Sequence, residues 1–320
     1  MQATCRERGL KTNARNGQPP LPRGWRKNPI GQVTRIKREQ RRLRGALRDI
    51  EAWLVEEFDR IPRTELSANA RGITVNRYEY LISLPELERI ISELARRLGD
   101  LPDDLLVEAT VAAYRQGTGD EVVNLAAISQ DYTREISQVI QSEPWQRRVA
   151  LVRARVFEQM AAFEGDTAND LGRVLSQAVQ DGLNPMRVRD TIRDRFGVSR
   201  SRAERIARTE IATAYRRARW DEDSDANERL GIRTGLLWIS AFAPNSRQSH
   251  MALNGEVVTQ DFVREFYSDS GNSINCMCNQ TSVLLDDDGN VVTPGVVERV
   301  KSAAPATTGE PIANAACSCH

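Results

Sequence analysis

A chain of 320 residues with 40% hydrophobic and 28% charged content has the makeup of an ordinary soluble protein, long enough for two folded parts with irregular ends. No apolar run approaches the roughly 18 residues of a membrane span and no secretory segment opens the chain, so a cytoplasmic origin without a membrane partner is expected. The net charge of +1 hides an asymmetry: residues 1–45 hold thirteen Lys and Arg against Glu7 and Glu39, a formal +11 that leaves −10 for the remainder.

Residues 1–30 are rich in Arg, Gly, Asn and Pro and lack apolar periodicity, which predicts a basic disordered arm. Such an arm suits nucleic acid without sequence preference, because each neutralised phosphate releases counterions. Arg35, Lys37, Arg38, Arg41, Arg42 and Arg44 are the candidate contacts, although only Trp25 interleaves an aromatic ring. From Val33 the texture changes. Ile36, Leu43, Leu47, Ile50, Leu54, Phe58 and Ile61 recur at threes, fours and sevens, the stripe of a long helix ending at Pro62, and that stripe must pack on a partner helix. Helices at 84–98 and 103–116 complete a helical N-terminal region over 31–140.

The stretch 145–230 reads as a helical run with punctuation. Thr167 is expected to cap one segment that Gly182 closes; Asn184-Pro185 starts another that Gly197 ends; Ser201 and Glu204 then form a capping box for a third. DEDSDANE at 221–228 reads as the solvated end of that helix, since Ala226 sits where a calcium loop needs glycine. After Gly231 come short strands at 236–242 and 256–259 and a hairpin over 282–293 with its glycine at the turn. An α+β domain is expected over 141–299 and a flexible tail over 300–320. The fold class is therefore α+β: mostly helical, with a long N-terminal helix and a small antiparallel sheet in the C-terminal domain.

Two positions raise chemical questions. Glu210 falls on the face that Ala203, Ala207, Ile211, Ala214 and Ala218 share, and a carboxylate in an apolar stripe needs a donor. Arg247 or Trp238 from the late sheet is the expected one, which would make Glu210 a latch between sheet and helix. His250 is the chain's interior histidine and has three readings. The favoured one is a hydrogen bond to the Asn254-Gly255 turn. Zinc is the second, with Cys276 and Cys278 as co-ligands and Cys317, Cys319 or His320 as a fourth. Catalysis is the third. No phosphate loop, nucleophile elbow or dinucleotide fingerprint appears, so nothing demands an enzyme.

In order, RAERIARTEIATAYRRA (202–218), the strand GLLWISA (235–241), Arg-x-x-His-x-x-Leu-x-Gly (Arg247, His250, Leu253, Gly255) and Cys-x-Cys (Cys276, Cys278) resemble the phage head morphogenesis family, that of the minor head protein F of phage Mu. The resemblance covers roughly residues 140–290, and Arg208, Thr209, Glu210, Trp238, Arg247, His250, Gly255, Cys276 and Cys278 match its motif. Ala243, Asn245 and Met277 depart from it. It implies a non-enzymatic minor structural protein of a tailed-phage head, located in the virion, whose partners are the portal protein, capsid or scaffolding proteins and packaged DNA, acting in assembly or DNA delivery. The alternatives are an enzyme or toxin-like domain using Glu210, Arg247 and His250, and a non-specific DNA-binding module.

Overall fold

The computed structural model describes residue 21 and residues 24–70, 73–244, 246–269 and 271–304. Helix α1 (Val33–Arg60) buries Ile36, Leu43, Leu47, Ile50, Leu54 and Phe58, so the predicted stripe is one packed face. It stops because Pro62 lacks the N–H that another turn needs, and the Ile61 N–H turns back to the Phe58 carbonyl. The stripe finds its partners inside the chain, on α2 (Leu84–Gly99) and α6 (Pro185–Leu230). Between α1 and α2 lies a hairpin that the sequence reading lacked, β1 (Arg63–Ala70) against β2 (Ile73–Tyr80), in register from Arg63↔Tyr80 to Ala70↔Ile73. Its Tyr80 hydroxyl donates to the Leu183 carbonyl, which ties the hairpin to the connection before α6. Helix α2 begins with a reciprocal cap in which Glu86 accepts from both the backbone and the hydroxyl of Ser83.

Helix α3 (Asp103–Ile128) runs a dozen residues beyond the predicted 116. It crosses α6 at Gly117, where a Cβ would fall 2.3 Å from the Tyr215 carbonyl oxygen. Only glycine lets the two backbones approach so closely. After the short α4 (Ile136–Gln141), helix α5 (Glu143–Asp181) is unbroken. Thr167 therefore caps nothing; it lies mid-helix with its hydroxyl on the Phe163 carbonyl. Gly182, at φ 62°, does close α5, and the Asn184 side chain accepts from the Met186 N–H at the start of α6.

Helix α6 is one element of 46 residues, about 69 Å long at 1.5 Å per residue. Gly197 does not end it and Ser201 does not start a new one; the Ser201 hydroxyl donates to the Gly197 carbonyl within the helix. Burial on both sides of this point outweighs the local breakers: Phe196 and Ala203 are each fully buried. Ala207 and Ile211 continue the buried line into a core shared with α1, α2, α3 and α5, and this core draws residues from both sides of the expected boundary at 140.

The late sheet has the order β4-β3-β5, all antiparallel: β3 (Thr234–Ile239) lies between β4 (Val257–Val258) and β5 (Asn279–Leu284). Helices α7 (Gln248–Ala252) and α8 (Gln260–Ser268) flank β4, and α9 (Gly295–Lys301) follows β5. In β3, Leu236 and Trp238 join Val263, Cys276 and Cys278, while Leu237 and Ile239 face Val283, Val296 and Val300. Both faces are covered, so the strand reads as a continuous apolar run.

Part of the expected N-terminal arm is folded. Residues 24–30 form turns, Leu21 and Trp25 pack on the face of Leu237 and Val300, Ile30 is fully buried, and the Asn279 side chain donates to the Pro29 carbonyl at 3.1 Å. Residues 1–20 and 305–320, with Cys5, Cys317, Cys319 and His320, lie outside the described residues. The candidate nucleic-acid side chains sit on the first turns of α1. Arg38 and Arg42 pair with buried Glu39 at 2.6 and 3.1 Å, Arg44 with Glu204 at 2.6 Å, and Arg35 bonds Gln32 and Gln116, while Lys37 and Arg41 are exposed. No described helix is long and apolar enough to cross a membrane.

Candidate metal centre

Helical spacing places Glu210 among alanines, and its side chain is 5% exposed. Its donor is Arg155 of α5, with Nε 2.7 Å from Oε2 and Nη2 3.3 Å from Oε1. The expected donors from the sheet are elsewhere: Arg247 Nη2 donates to the Ile274 carbonyl at 3.1 Å, and the buried Trp238 indole N–H meets no acceptor among the described residues. Glu210 thus latches α6 to α5, not to the sheet, because α5 runs alongside the very turn that presents the carboxylate. Arg155→Ala is expected to cost about 2 kcal/mol in urea unfolding, the loss of a charge-assisted pair whose arginine stem still meets water. A change under about 0.5 kcal/mol would mean that water satisfies the acid.

The Thr209 hydroxyl, one residue earlier, accepts the Asn275 N–H at 3.1 Å, and Asn275 itself turns through φ 57° immediately before Cys276. Arg216, two helical turns on and fully buried, donates from Nη1 to the carbonyls of Cys276 (2.8 Å) and Cys278 (3.4 Å) and lies over the Tyr267 ring. The α6 motif therefore grips the Cys-x-Cys loop at three points. Arg208 is half-buried on the same helix.

His250, at the middle of α7, faces this loop. Its Nδ1 lies 3.3 Å from Cys276 Sγ and 3.9 Å from Cys278 Sγ, and its Nε2 lies 3.4 Å from Asn272 Oδ1. A ring that donates its Nε2–H to Asn272 Oδ1 turns the Nδ1 lone pair toward the two sulfurs. Phe266 and Trp238 pack edge-on against the imidazole at ring-centre distances of 4.9 and 6.0 Å. The histidine does not pin the Asn254-Gly255 turn. That turn is held by others: the Asn254 Oδ1 accepts the Ser240 N–H, its Nδ2 donates to the Val300 carbonyl, and the Gly255 N–H reaches the Trp238 carbonyl. Gly255 is required there by φ 81° and by Lys301, whose Cγ would lie 2.2 Å from an added Cβ.

The ligand atoms of His250, Cys276 and Cys278 all lie within 4.8 Å of one another, and the three residues are buried. The two thiols behave as one unit. The hydrogen bond from Cys278, reinforced by the Arg216 guanidinium, holds Cys276 well below the usual thiol range, while that same bond and burial push Cys278 well above it. Glu210, Arg247 and His250, the trio of the enzymatic alternative, do not share a cleft: the 360 Å³ cavity beside Glu210 is lined by Arg155, Thr209, Arg217, Tyr267 and Ile274 among others, without Arg247 or His250. Sequence reasoning named the histidine and cysteines but missed Arg155, Arg216, Asn272 and Tyr267. The pair of arginines in AYRRA was the available signal for one of them, since Arg216 falls on a buried face by helical spacing.

Residues 169–281 match the family model described as phage Mu protein F like protein, which supports the phage head morphogenesis family over that segment. No curated protein and no solved structure matches the chain.

Proposed function

We propose that this chain is a minor structural protein of a tailed-bacteriophage head that resides in the virion, associates with the portal protein and with capsid or scaffolding proteins, and acts in procapsid assembly and DNA delivery. The observation that supports it is the family match over 169–281, which takes in all of α6 and β3, the Cys-x-Cys loop and the start of β5. Those elements pack as a closed block. Glu210 is neutralised by Arg155, His250 is buried, and Arg247 holds a loop carbonyl, an arrangement suited to rigidity and not to turnover. Fractionation of assembled particles tests the reading: the chain is expected to travel with the portal, and recovery only in unassembled lysate protein would remove it.

DNA contact is the subordinate part of this reading. Lys37 and Arg41 are exposed basic side chains on the first turns of α1. Deleting residues 1–45 would strip Ile36 and Leu43 from the core, so charge substitution is the cleaner probe. K37E with R41E is expected to weaken DNA binding and flatten its salt dependence by roughly two counterions. Unchanged slope would assign the charge another purpose.

A further inference from the structure

The geometry points to a zinc ion held by Cys276 Sγ, Cys278 Sγ and His250 Nδ1, with a hydroxyl or water oxygen as the fourth donor. Tetrahedral zinc with Zn–S near 2.3 Å and Zn–N near 2.0 Å sets its ligands about 3.6 Å apart for sulfur to nitrogen. The sulfur-to-Nδ1 distances here, 3.3 and 3.9 Å, straddle that edge length. A cation of this size would complete the cluster with shifts of a few tenths of an ångström.

Charge argues the same way. Two thiolates balance a divalent ion, so the filled centre is neutral in a place where all three ligand residues are 5% exposed or less. Two thiolates and an imidazole select zinc over calcium or magnesium, which prefer oxygen. The surroundings are those of a ligand set already oriented. Asn272 fixes the tautomer that frees Nδ1, and its own Nδ2 is anchored on the Phe266 carbonyl at 2.9 Å. Arg216 and Thr209 fix the loop backbone on either side of Cys276. Oxygen donors stand nearby, the Tyr267 hydroxyl 3.3 Å from Cys276 Sγ and the Ser240 hydroxyl 3.7 Å from Cys278 Sγ.

Both sulfurs bind as thiolates, so whatever thiol proton the pair carries is released to solvent, and no other bond changes. The ion would join α7 to the Cys-x-Cys loop, which Arg216 and Thr209 hold on α6. It would therefore staple the block that the family match covers, whether or not the chain serves in a phage head.

Elemental analysis of the full chain, purified under reducing conditions without chelator, is expected to give about one equivalent of zinc. Cobalt exchanged into the chain should show sulfur-to-cobalt charge transfer and tetrahedral d–d bands, which His250→Ala abolishes. Asn272→Ala should retain the bands with a roughly 10–100-fold weaker affinity, and Tyr267→Phe separates the two oxygen sources by shifting the d–d bands only if Tyr267 is the fourth donor. Should the substituted chains fail to fold, the cobalt spectrum of the unaltered chain decides alone. Less than about a tenth of an equivalent of zinc with no cobalt bands overturns the assignment, and so does a peptide map that finds Cys276 and Cys278 joined as a disulfide.

Discussion

Arg219→Met is expected to remove about 3–5 kcal/mol of stability. Arg219 and Glu121 are an ion pair with side chains 2% and 0% exposed, 2.5 Å apart at Nη2 and 2.6 Å at Nε. The same guanidinium donates to the Thr281 hydroxyl at 2.7 Å, so one side chain joins α3, α6 and β5. Removing it leaves the Glu121 carboxylate sealed from water with no cation. The Asn124 side chain, which donates to Glu121 at 2.9 Å and to the Ser282 carbonyl at 3.1 Å, cannot supply the missing charge. Guanidinium unfolding of the single variants and of Arg219→Met combined with Glu121→Leu closes a double-mutant cycle. The double variant should recover most of the loss, since an apolar pair of similar volume dispenses with both desolvated charges. A single variant within about 1 kcal/mol of the parent would show that water reaches the pair.

The second large effect is on pH. Burial pushes Glu222 up to about 7 and Asp223 up to about 6, against ordinary values of 4.5 and 3.8. Glu222 accepts from the Tyr132 hydroxyl and from Arg134, which offset only part of the desolvation, while Asp225 and Glu121 oppose its ionisation. Asp223 meets the Gln260 amide from α8 and is opposed by Glu121. Both folded values are raised, so the unfolded chain loses these protons first. The stabilisation is full below about pH 4, declines as pH rises through 6 and 7, and is gone above about pH 8, with each group contributing roughly 3 kcal/mol across that window. Chemical denaturation at pH 5 and pH 8 is expected to show the chain more stable at the lower value. Glu222→Gln should flatten the dependence by about half. A profile that rises from pH 5 to pH 8 would place these carboxylates in water.

That acidic run shows where sequence reading reached its limit. Alternating acids at 221–228 look like a solvated helix end, yet Glu222, Asp223 and Asp225 are buried because Arg134 and Arg148 arrive from α4's approach and from α5. Partners some 77 to 90 residues away leave no local trace. The α1 stripe, by contrast, was legible since its burial follows from spacing alone, and so was Gly182, whose backbone conformation is a local requirement. The breakers Gly197 and Ser201 misled because a long buried face on α6 outweighs about 1 kcal/mol of glycine propensity. The β1–β2 hairpin was missed for want of apolar alternation: Glu65 and Leu66 are both exposed, and the ribbon is held at its base by Tyr80. At the proposed metal centre, residue types pointed to His250, Cys276 and Cys278, but which group orients the imidazole depended on a loop fold that spacing does not encode.

The clasp between Pro29 and Asn279 closes a loop of 250 residues. During synthesis, Leu21 and Trp25 leave the ribosome long before the strands and helix that cover them exist, so this segment must wait, greasy and unpaired, for β5 and α9. Closure of so long a loop is entropically slow. Maturation of this molecule should therefore be timed by the segment from β5 to α9, and a nascent chain halted before it would be the species most in need of a chaperone.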